Sequence, residues 1–244
     1  MNTGISPGFI IIITCLLIIS TSHSDGQALS DSLVRAGNRK IEANDLEGAI
    51  RDFQIVLSLQ PSDNRARNGI ITVLYLQGDT RKASREVDRA ISGNPDYAGF
   101  YYSRGMISNQ RNNYRRAIED FTKALSLQES NLSRIYLNRG IAKLNLDDTR
   151  SALEDFTLAI DHNSNNIAAY NFRGMINYRD NKFELAIEDF DRIITINPDN
   201  DVAHYNRAMA LLRSGVSSTA CMNFHRSCQL GNRNACQMII MECQ

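Results

Sequence analysis

The sequence of 244 residues contains no tryptophan, only four prolines and no excess of either charge, with 27 basic and 27 acidic residues. So few prolines leave room for long helices, because a proline in the interior of a helix interrupts it. A formal net charge of zero supplies no overall field that would attract nucleic acid or anionic lipid. The composition therefore argues against a nucleic-acid-binding protein and is compatible with a largely helical one.

The N-terminus has a different composition from the rest of the chain. Phe9 to Ile19 form a run of eleven apolar or near-apolar residues, and a helix needs ~20 residues to cross the ~30 Å core of a bilayer. The run matches the core of a secretory signal peptide, although no Lys or Arg precedes it. We predict a signal peptide at residues 1–24, a short linker at 25–29 and an exported protein that is periplasmic, secreted or associated with the cell envelope. The alternative is an uncleaved segment that anchors the protein in a membrane.

The remaining sequence repeats with a period of 34 or 35 residues. Six alanines mark the period, and a larger apolar residue follows each of them by four positions. A small residue stands twelve positions before the alanine in five of the six units, and a polar turn lies between the two. Residues four apart share one face of a helix, so each unit predicts two helices joined by a turn. The alanines are Ala49, Ala83, Ala117, Ala152, Ala186 and Ala220, and the larger apolar residues are Phe53, Val87, Phe121, Phe156, Phe190 and Phe224.

The units resemble the tetratricopeptide repeat (TPR). The segments YLNRG, FRG and YNRA, together with AIEDF and ALEDF, are similar to its common N-R-G…A-I-x-D-F form. The resemblance implies an all-α protein, a right-handed α-α superhelix (solenoid) of six helical hairpins plus a C-terminal capping helix. The six units are expected at residues 30–63, 64–97, 98–132, 133–166, 167–200 and 201–233, and the capping helix at 234–244.

Arginines precede the small residue in the last four units, at Arg104, Arg139, Arg173 and Arg207. In the unit before each of them, an acid precedes the larger apolar residue, at Glu86, Asp120, Asp155 and Asp189. Pairing each arginine with the acid of the preceding unit satisfies all four, whereas pairing within a unit fails at the last unit, where Asn223 replaces the acid. We therefore predict ion pairs between repeats, and the alternative is a row of solvated charges.

Four cysteines near the C-terminus form the sharpest local pattern. They are Cys221, Cys228, Cys236 and Cys243. The two outer gaps are both seven residues, or two helical turns, and Gly231-Asn232 between them indicates that one helix stops and another starts. An antiparallel hairpin folded at this point pairs Cys228 with Cys236 and Cys221 with Cys243, as nested disulfides that an exported protein permits. Free buried thiols, or a metal site that includes His225, are the alternatives. The segment SCQLGNRNAC also resembles the end of cysteine-rich Sel1-like repeats, in which two cysteines at this spacing clip neighbouring helices.

No set of residues in the sequence matches a catalytic motif. The histidines stand apart from the Asp and Cys pairs of known motifs, and there is no glycine loop for phosphate. We therefore expect a protein that is not an enzyme and has no cofactor, no metal and no small-molecule substrate. Membrane contact is expected only through an uncleaved N-terminal segment.

The resemblance to TPR proteins further implies that the first helices of the units line a concave groove. The residues placed there combine amide, aromatic, Met and Arg side chains, which suit an extended peptide because Asn bonds a backbone and Tyr and Arg are typical anchors. We predict a non-catalytic scaffold that binds a peptide or protein in this groove, outside the cytoplasm. The alternatives are a structural or assembly subunit of a cell-envelope or secretion complex and, for single residues such as Met106, a place in the inter-helix core. The groove candidates are Tyr102, Met106, Asn109, Asn138, Asn145, Asn171, Met175, Tyr178, Arg179, Tyr205, Asn206, Met209 and Arg213.

Overall fold

The computed structural model describes residues 26–128 and 130–243, and the signal peptide expected at 1–24 lies outside this part of the chain. The described residues form thirteen α-helices and no strand. The helices are α1 (26–42), α2 (Leu46–Leu59), α3 (Asn64–Leu76), α4 (Thr80–Gly93), α5 (Ala98–Gln110), α6 (Tyr114–Ser126), α7 (Leu132–Leu144), α8 (Thr149–His162), α9 (Ile167–Arg179), α10 (Phe183–Ile196), α11 (Asp201–Arg213), α12 (Ser217–Gln229) and α13 (Arg233–Glu242).

Helices α1 to α12 follow one another as six helical hairpins, and α13 follows the last hairpin as a capping helix. The predicted all-α fold class is thereby confirmed. Residues 26–29 of the expected linker form the first turn of α1. Gln27 supports that turn by donating to the Asp31 carboxylate one helical turn later, at 3.1 Å.

Every hairpin turn places one residue at the same position in the left-handed region of the backbone. The spacing of these residues is again 34 or 35, and each is Asn, Asp or Gly, the residue types that tolerate a positive φ. They are Asn44, Gly78, Asn112, Asp147, Asn181 and Gly215. Gln128 also has a positive φ, of 59°, and it lies between α6 and α7, where the sequence carries the one extra residue of the 35-residue spacing.

The chain divides into two compact units between Ile107 and Ser108. The first unit buries two clusters of apolar side chains, one around Phe53 and one around Val87. The second unit buries further clusters, and among their central residues are Phe156, Phe190 and Phe224. All six marker alanines and all six of the larger apolar residues are 0% exposed, as the period predicts.

The small glycines of the first helices make room for aromatic rings. A Cβ atom added at Gly140 would lie 2.8 Å from the ring of Phe156, and one added at Gly174 would lie 2.9 Å from the ring of Phe190. In the first hairpin, the ring of Phe53 meets Gly37 of its own hairpin and Gly69 of the next. The ring is therefore held between two successive first helices, and this contact joins neighbouring hairpins.

The predicted ion pairs between repeats are wrong in their partners. Arg139 donates to Asp155 and Arg173 to Asp189, each within its own hairpin and at 2.7 Å. Toward the preceding hairpin, Arg139 donates to Thr122 at 3.1 Å. The reason is the register of the second helix, since successive residues point about 100° apart around a helix. The residue before the buried phenylalanine faces its own first helix, and the residue after it faces the next hairpin.

Two other arginines show the same register. Arg207 donates to Asn223 in its own hairpin and to Asp191 in the preceding one. Arg104 donates at 3.2 Å to Asp88, which directly follows the buried Val87 of the preceding hairpin. Arg139, Arg173 and Arg207 thus each join two hairpins. Each contacts the residue before the buried phenylalanine of its own hairpin and the residue after that of the preceding hairpin, not the acid predicted from the sequence.

The carboxylates within the hairpins are removed from water. Asp155 is 1% exposed and Asp189 is 4% exposed. Burial raises the pKa of the Asp189 carboxyl above its ordinary value, even though Arg173 donates to it. The ionised form of Asp189 is therefore costly, and the sixth hairpin avoids that cost by placing the neutral Asn223 opposite Arg207.

We expect Phe156→Ala to lower the free energy of unfolding by about 3–5 kcal/mol, because it removes a ring that packs against both α7 and α9. Leu158→Ala is the matched control, since Leu158 on the same helix is 37% exposed, and it should cost less than about 1 kcal/mol. Urea unfolding followed by circular dichroism measures both. Equal losses in the two variants would show that the ring does not join the hairpins.

We expect Asp189→Ala to cost about 3–5 kcal/mol of unfolding free energy, because it leaves the Arg173 guanidinium without its partner inside the hairpin. Asp189→Asn should cost at least about 1 kcal/mol less, since an amide oxygen still accepts from arginine, as Asn223 does in the sixth hairpin. The comparison is made by urea unfolding at neutral pH. Equal destabilisation of the two variants would show that the hydrogen bond from Arg173 to residue 189 does not stabilise the hairpin.

Candidate functional site

Eleven of the thirteen groove candidates lie in the second unit, and Tyr102 and Met106 lie in the first. Tyr102 and Met106 are each half-buried on α5. The structure brings most of the others together on two neighbouring first helices, α9 and α11. These are Asn171, Met175, Tyr178 and Arg179 on α9, and Tyr205, Asn206, Met209 and Arg213 on α11.

The amides of the earlier hairpins are engaged with the backbone. Asn109 donates to the main-chain oxygen of Asn138 at 3.1 Å, and the Asn109 side-chain oxygen is buried without a hydrogen-bond partner. The Asn138 side chain donates to the carbonyl of Arg134, and Asn145 at the end of α7 donates to the carbonyl of Ile141. None of these three residues lines the cavity described next, which lies between α9, α10 and α11.

A cavity of about 120 Å³ lies between α9, α10 and α11. Met175 is 45% exposed beside it, and the other lining side chains are half-buried except for the fully buried Phe190. Five of the six lining residues are groove candidates. The lining consists of Met175, Tyr178, Phe190, Tyr205, Asn206 and Met209.

The cavity follows from one residue of α11. Phe156 is covered by the ring of Phe172, which stacks on it at 5.2 Å between centroids and stands sixteen residues later. The residue sixteen positions after Phe190 is Asn206, whose shorter amide turns away toward Asn171 at 3.3 Å. The Phe190 ring, which is 0% exposed, borders the cavity at this point and forms its floor.

A stack of side chains stands at the other end of the same face. The rings of Tyr178 and Phe183 meet edge to face at 5.7 Å between centroids. The Arg213 guanidinium lies over the Phe183 ring at 5.6 Å from its centroid. Phe183 was not among the candidates, because it is the first residue of a second helix, α10. Its position as an aromatic residue directly after the hairpin turn is the sequence feature that could have identified it.

The remaining candidate cation, Arg179, is exposed and close to polar partners. It donates to the Thr149 hydroxyl at 2.9 Å, and its side chain lies 3.9 Å from the Asp180 carboxylate. The charge of Arg179 is therefore partly offset by Asp180.

The cysteines of the C-terminal hairpin form two disulfides, with the pairs expected from the sequence. Cys221 is joined to Cys243, with Cα atoms 5.6 Å apart, and Cys228 to Cys236, with Cα atoms 4.9 Å apart. Neither Cys221 nor Cys228 then offers a thiolate to a metal beside His225. The bridges hold α13 over Phe224, where Met238 and Ile239 pack against the core of the last hairpin.

Among residues 26–128 and 130–243, no helix is both long and apolar enough to cross a membrane. The segment expected to act as a signal peptide or anchor is not part of that range.

Fold and site together define a protein of consecutive helical hairpins with a cavity between α9, α10 and α11. The model of the tetratricopeptide repeat matches residues 34–83, 69–131 and 137–201, which is more than half of the chain. The chain therefore belongs to the tetratricopeptide repeat family. Proteins built from this repeat are generally non-catalytic scaffolds, and no enzyme family matches the chain.

Solved structures show the same fold at low sequence identity. PilF of Pseudomonas aeruginosa is 16% identical with a TM-score of 0.75, and the match covers 89% of this chain and 99% of that one. YrrB, described as a TPR protein with an unusual peptide-binding site, is 18% identical with a TM-score of 0.62 over 75% of this chain and 94% of its own. MamA is 21% identical with a TM-score of 0.62 over 68% and 96%. A search of curated proteins found no match to this chain.

We expect the double variant Cys221→Ser, Cys243→Ser to lose about 2–4 kcal/mol of unfolding free energy relative to the oxidised protein. The double variant Cys228→Ser, Cys236→Ser should lose less, because it opens a loop of 8 residues rather than 22. Urea unfolding measures both losses. Peptide mapping of the oxidised protein by mass spectrometry is the control, and free thiols or other pairs in that map would contradict the assignment.

Proposed function

We propose that the protein is a non-catalytic scaffold that binds an extended peptide segment of a protein partner along α7, α9 and α11. The observation that carries this proposal is the cavity on the face of α9 and α11, where apolar side chains line an opening to solvent. Met175 is 45% exposed there, next to the half-buried Tyr178, Tyr205 and Met209. Apolar pockets with a few polar groups at their edge are typical ligand sites.

Polar groups beside the cavity suit a peptide backbone. The side-chain amides of Asn171 and Asn206 bond each other at 3.3 Å, which leaves each with further donor or acceptor capacity. An extended segment offers alternating N–H and C=O groups, and amide side chains pair with both. The description of YrrB as a peptide-binding TPR protein supports this function for the present chain.

We place this activity outside the cytoplasm. Two disulfides persist most readily in an oxidising compartment, and the apolar run at Phe9 to Ile19 is typical of a secretory signal. The Sel1-like resemblance of SCQLGNRNAC is compatible with this view, because the bridge in that segment, Cys228–Cys236, joins α12 to α13.

A second candidate function is that of an assembly subunit in a cell-envelope or secretion complex. It is favoured by apolar side chains that the capping end leaves in solvent. Met222 is 64% exposed, Ile240 is 68% exposed and Met241 is 70% exposed. The end of a repeat array is usually polar, so these residues suit contact with a neighbouring subunit.

Affinity capture with the mature, oxidised protein from the envelope and secreted fractions of its source organism distinguishes the two functions. Met175→Glu places a charge on the binding face, and Met241→Glu is its matched control on the capping helix. We expect the partner to be lost with Met175→Glu and retained with Met241→Glu, with unchanged circular dichroism in both. The reverse result favours the assembly subunit. Partners that both variants capture as well as the parent protein does contradict both functions.

A further inference from the structure

We propose that the cavity between α9 and α11 selects peptide segments that carry one apolar side chain next to a carboxylate group. This inference rests on the proposed function and specifies which segments the binding face accepts. It depends on three features of the second unit, namely the size of the cavity, the charge of the first helices and the position of Arg213.

The size of the cavity fits a single apolar side chain. Its volume is about 120 Å³, and an engineered protein cavity of roughly 150 Å³ binds benzene. Phe190 forms its floor, and Met175 and Met209 stand at its sides. Methionine side chains adapt to the shape of a ligand because they are unbranched and flexible. A leucine, isoleucine, methionine or phenylalanine side chain would fill the site.

The contact between Phe156 and Phe172 shows how an aromatic side chain packs at the equivalent position one hairpin earlier. The ring of Phe172 on α9 stands sixteen residues after Phe156 of the preceding hairpin and stacks on that ring. Asn206 holds the corresponding position after Phe190, and its shorter side chain bonds Asn171 and lines the cavity beside the buried Phe190 ring. A partner side chain that enters the cavity would therefore make the aromatic contact that the chain itself makes one hairpin earlier.

The charge of the first helices favours an acidic ligand. Helices α7, α9 and α11 carry seven Lys and Arg residues and a single acid, Asp201, whose carboxylate accepts from Asn232 at 3.1 Å. Four of the basic residues are paired with Asp155, Asp189 or Asp191 inside the packing. The other three, Arg134, Arg179 and Arg213, are exposed.

Arg213 is the cation best placed to bind the carboxylate. It lies one helical turn beyond Met209, so the two side chains share a face with Cβ atoms about 5–6 Å apart. Stacking on Phe183 holds its guanidinium in position, 5.6 Å from the ring centroid. Among the described residues no carboxylate lies within ion-pair distance of it. A planar guanidinium binds a carboxylate through two parallel hydrogen bonds.

The spacing sets where the carboxylate must be. An extended chain advances about 3.3–3.6 Å per residue, so the carboxylate belongs one or two residues from the apolar side chain. Either an Asp or Glu side chain or the terminal carboxylate of the partner provides this chemistry.

Two synthetic heptapeptide libraries, one with amidated and one with free C-termini, test the inference on the oxidised, full-length chain. Peptides retained by the protein are identified by mass spectrometry, and their affinities are then measured by fluorescence anisotropy. We expect retained peptides to contain an apolar residue within two positions of an acid. Enrichment in the amidated library assigns the carboxylate to Asp or Glu, and enrichment only in the free library assigns it to the C-terminus.

Variants test each half of the site separately. Asn206→Phe fills the cavity and should weaken binding by about tenfold or more, as should Arg213→Gln, which removes one charge-assisted contact. Arg213→Glu should invert the selection toward peptides with Lys or Arg. Met222→Leu on the capping hairpin is the control and should bind like the parent protein.

The outcomes separate this inference from the function on which it rests. If peptides are retained in a way that requires Met175 but lack the apolar and acidic pair, the inference is overturned and the proposed function stands. The inference is also overturned if Asn206→Phe and Arg213→Gln both bind like the parent. If neither library yields a peptide that Met175→Glu releases, the proposed function fails together with it.

Discussion

In the first and fourth hairpins, one phenylalanine ring, Phe53 or Phe156, is buried between the first helix of its own hairpin and the first helix of the next. The ring meets a glycine on one side at a distance that no Cβ atom could share, as at Gly140 and Gly174. Glycine costs a helix about 1 kcal/mol relative to alanine, and burial of a whole ring offsets this cost. Because a hairpin cannot bury its ring alone, the hairpins must stack, and the first helices are left with one face toward solvent.

The arginine contacts follow from that same ring. With the phenylalanine fixed in the core, the residue before it faces its own hairpin and the residue after it faces the neighbour. Arg139, Arg173 and Arg207 each contact both of these positions. The buried acid within the hairpin makes the arrangement specific, at the cost of desolvating a carboxylate whose pKa burial raises in the case of Asp189.

The cavity on α9 and α11 lies where the contact between two phenylalanine rings is not repeated. Phe172 stacks on Phe156, whereas the shorter Asn206 stands at the corresponding position beside a cavity that the buried Phe190 borders and that methionine and tyrosine also line. The same face carries an arginine held on an aromatic ring. A local exception to the repeat thus supplies an apolar cavity, an amide pair and a cation within two neighbouring helices.

The sequence by itself determined the helical hairpins, their number, the turn positions and the buried alanines and phenylalanines, because these depend on a period that survives in every unit. It also placed most of the residues around the cavity, since register assigns a helix face. Only the tertiary structure decided the arginine partners and the existence of the cavity. The arginine partners depend on how each second helix is rotated against its neighbours, and the cavity depends on how side chains sixteen residues apart meet. The spacing of residues along the chain does not specify that rotation.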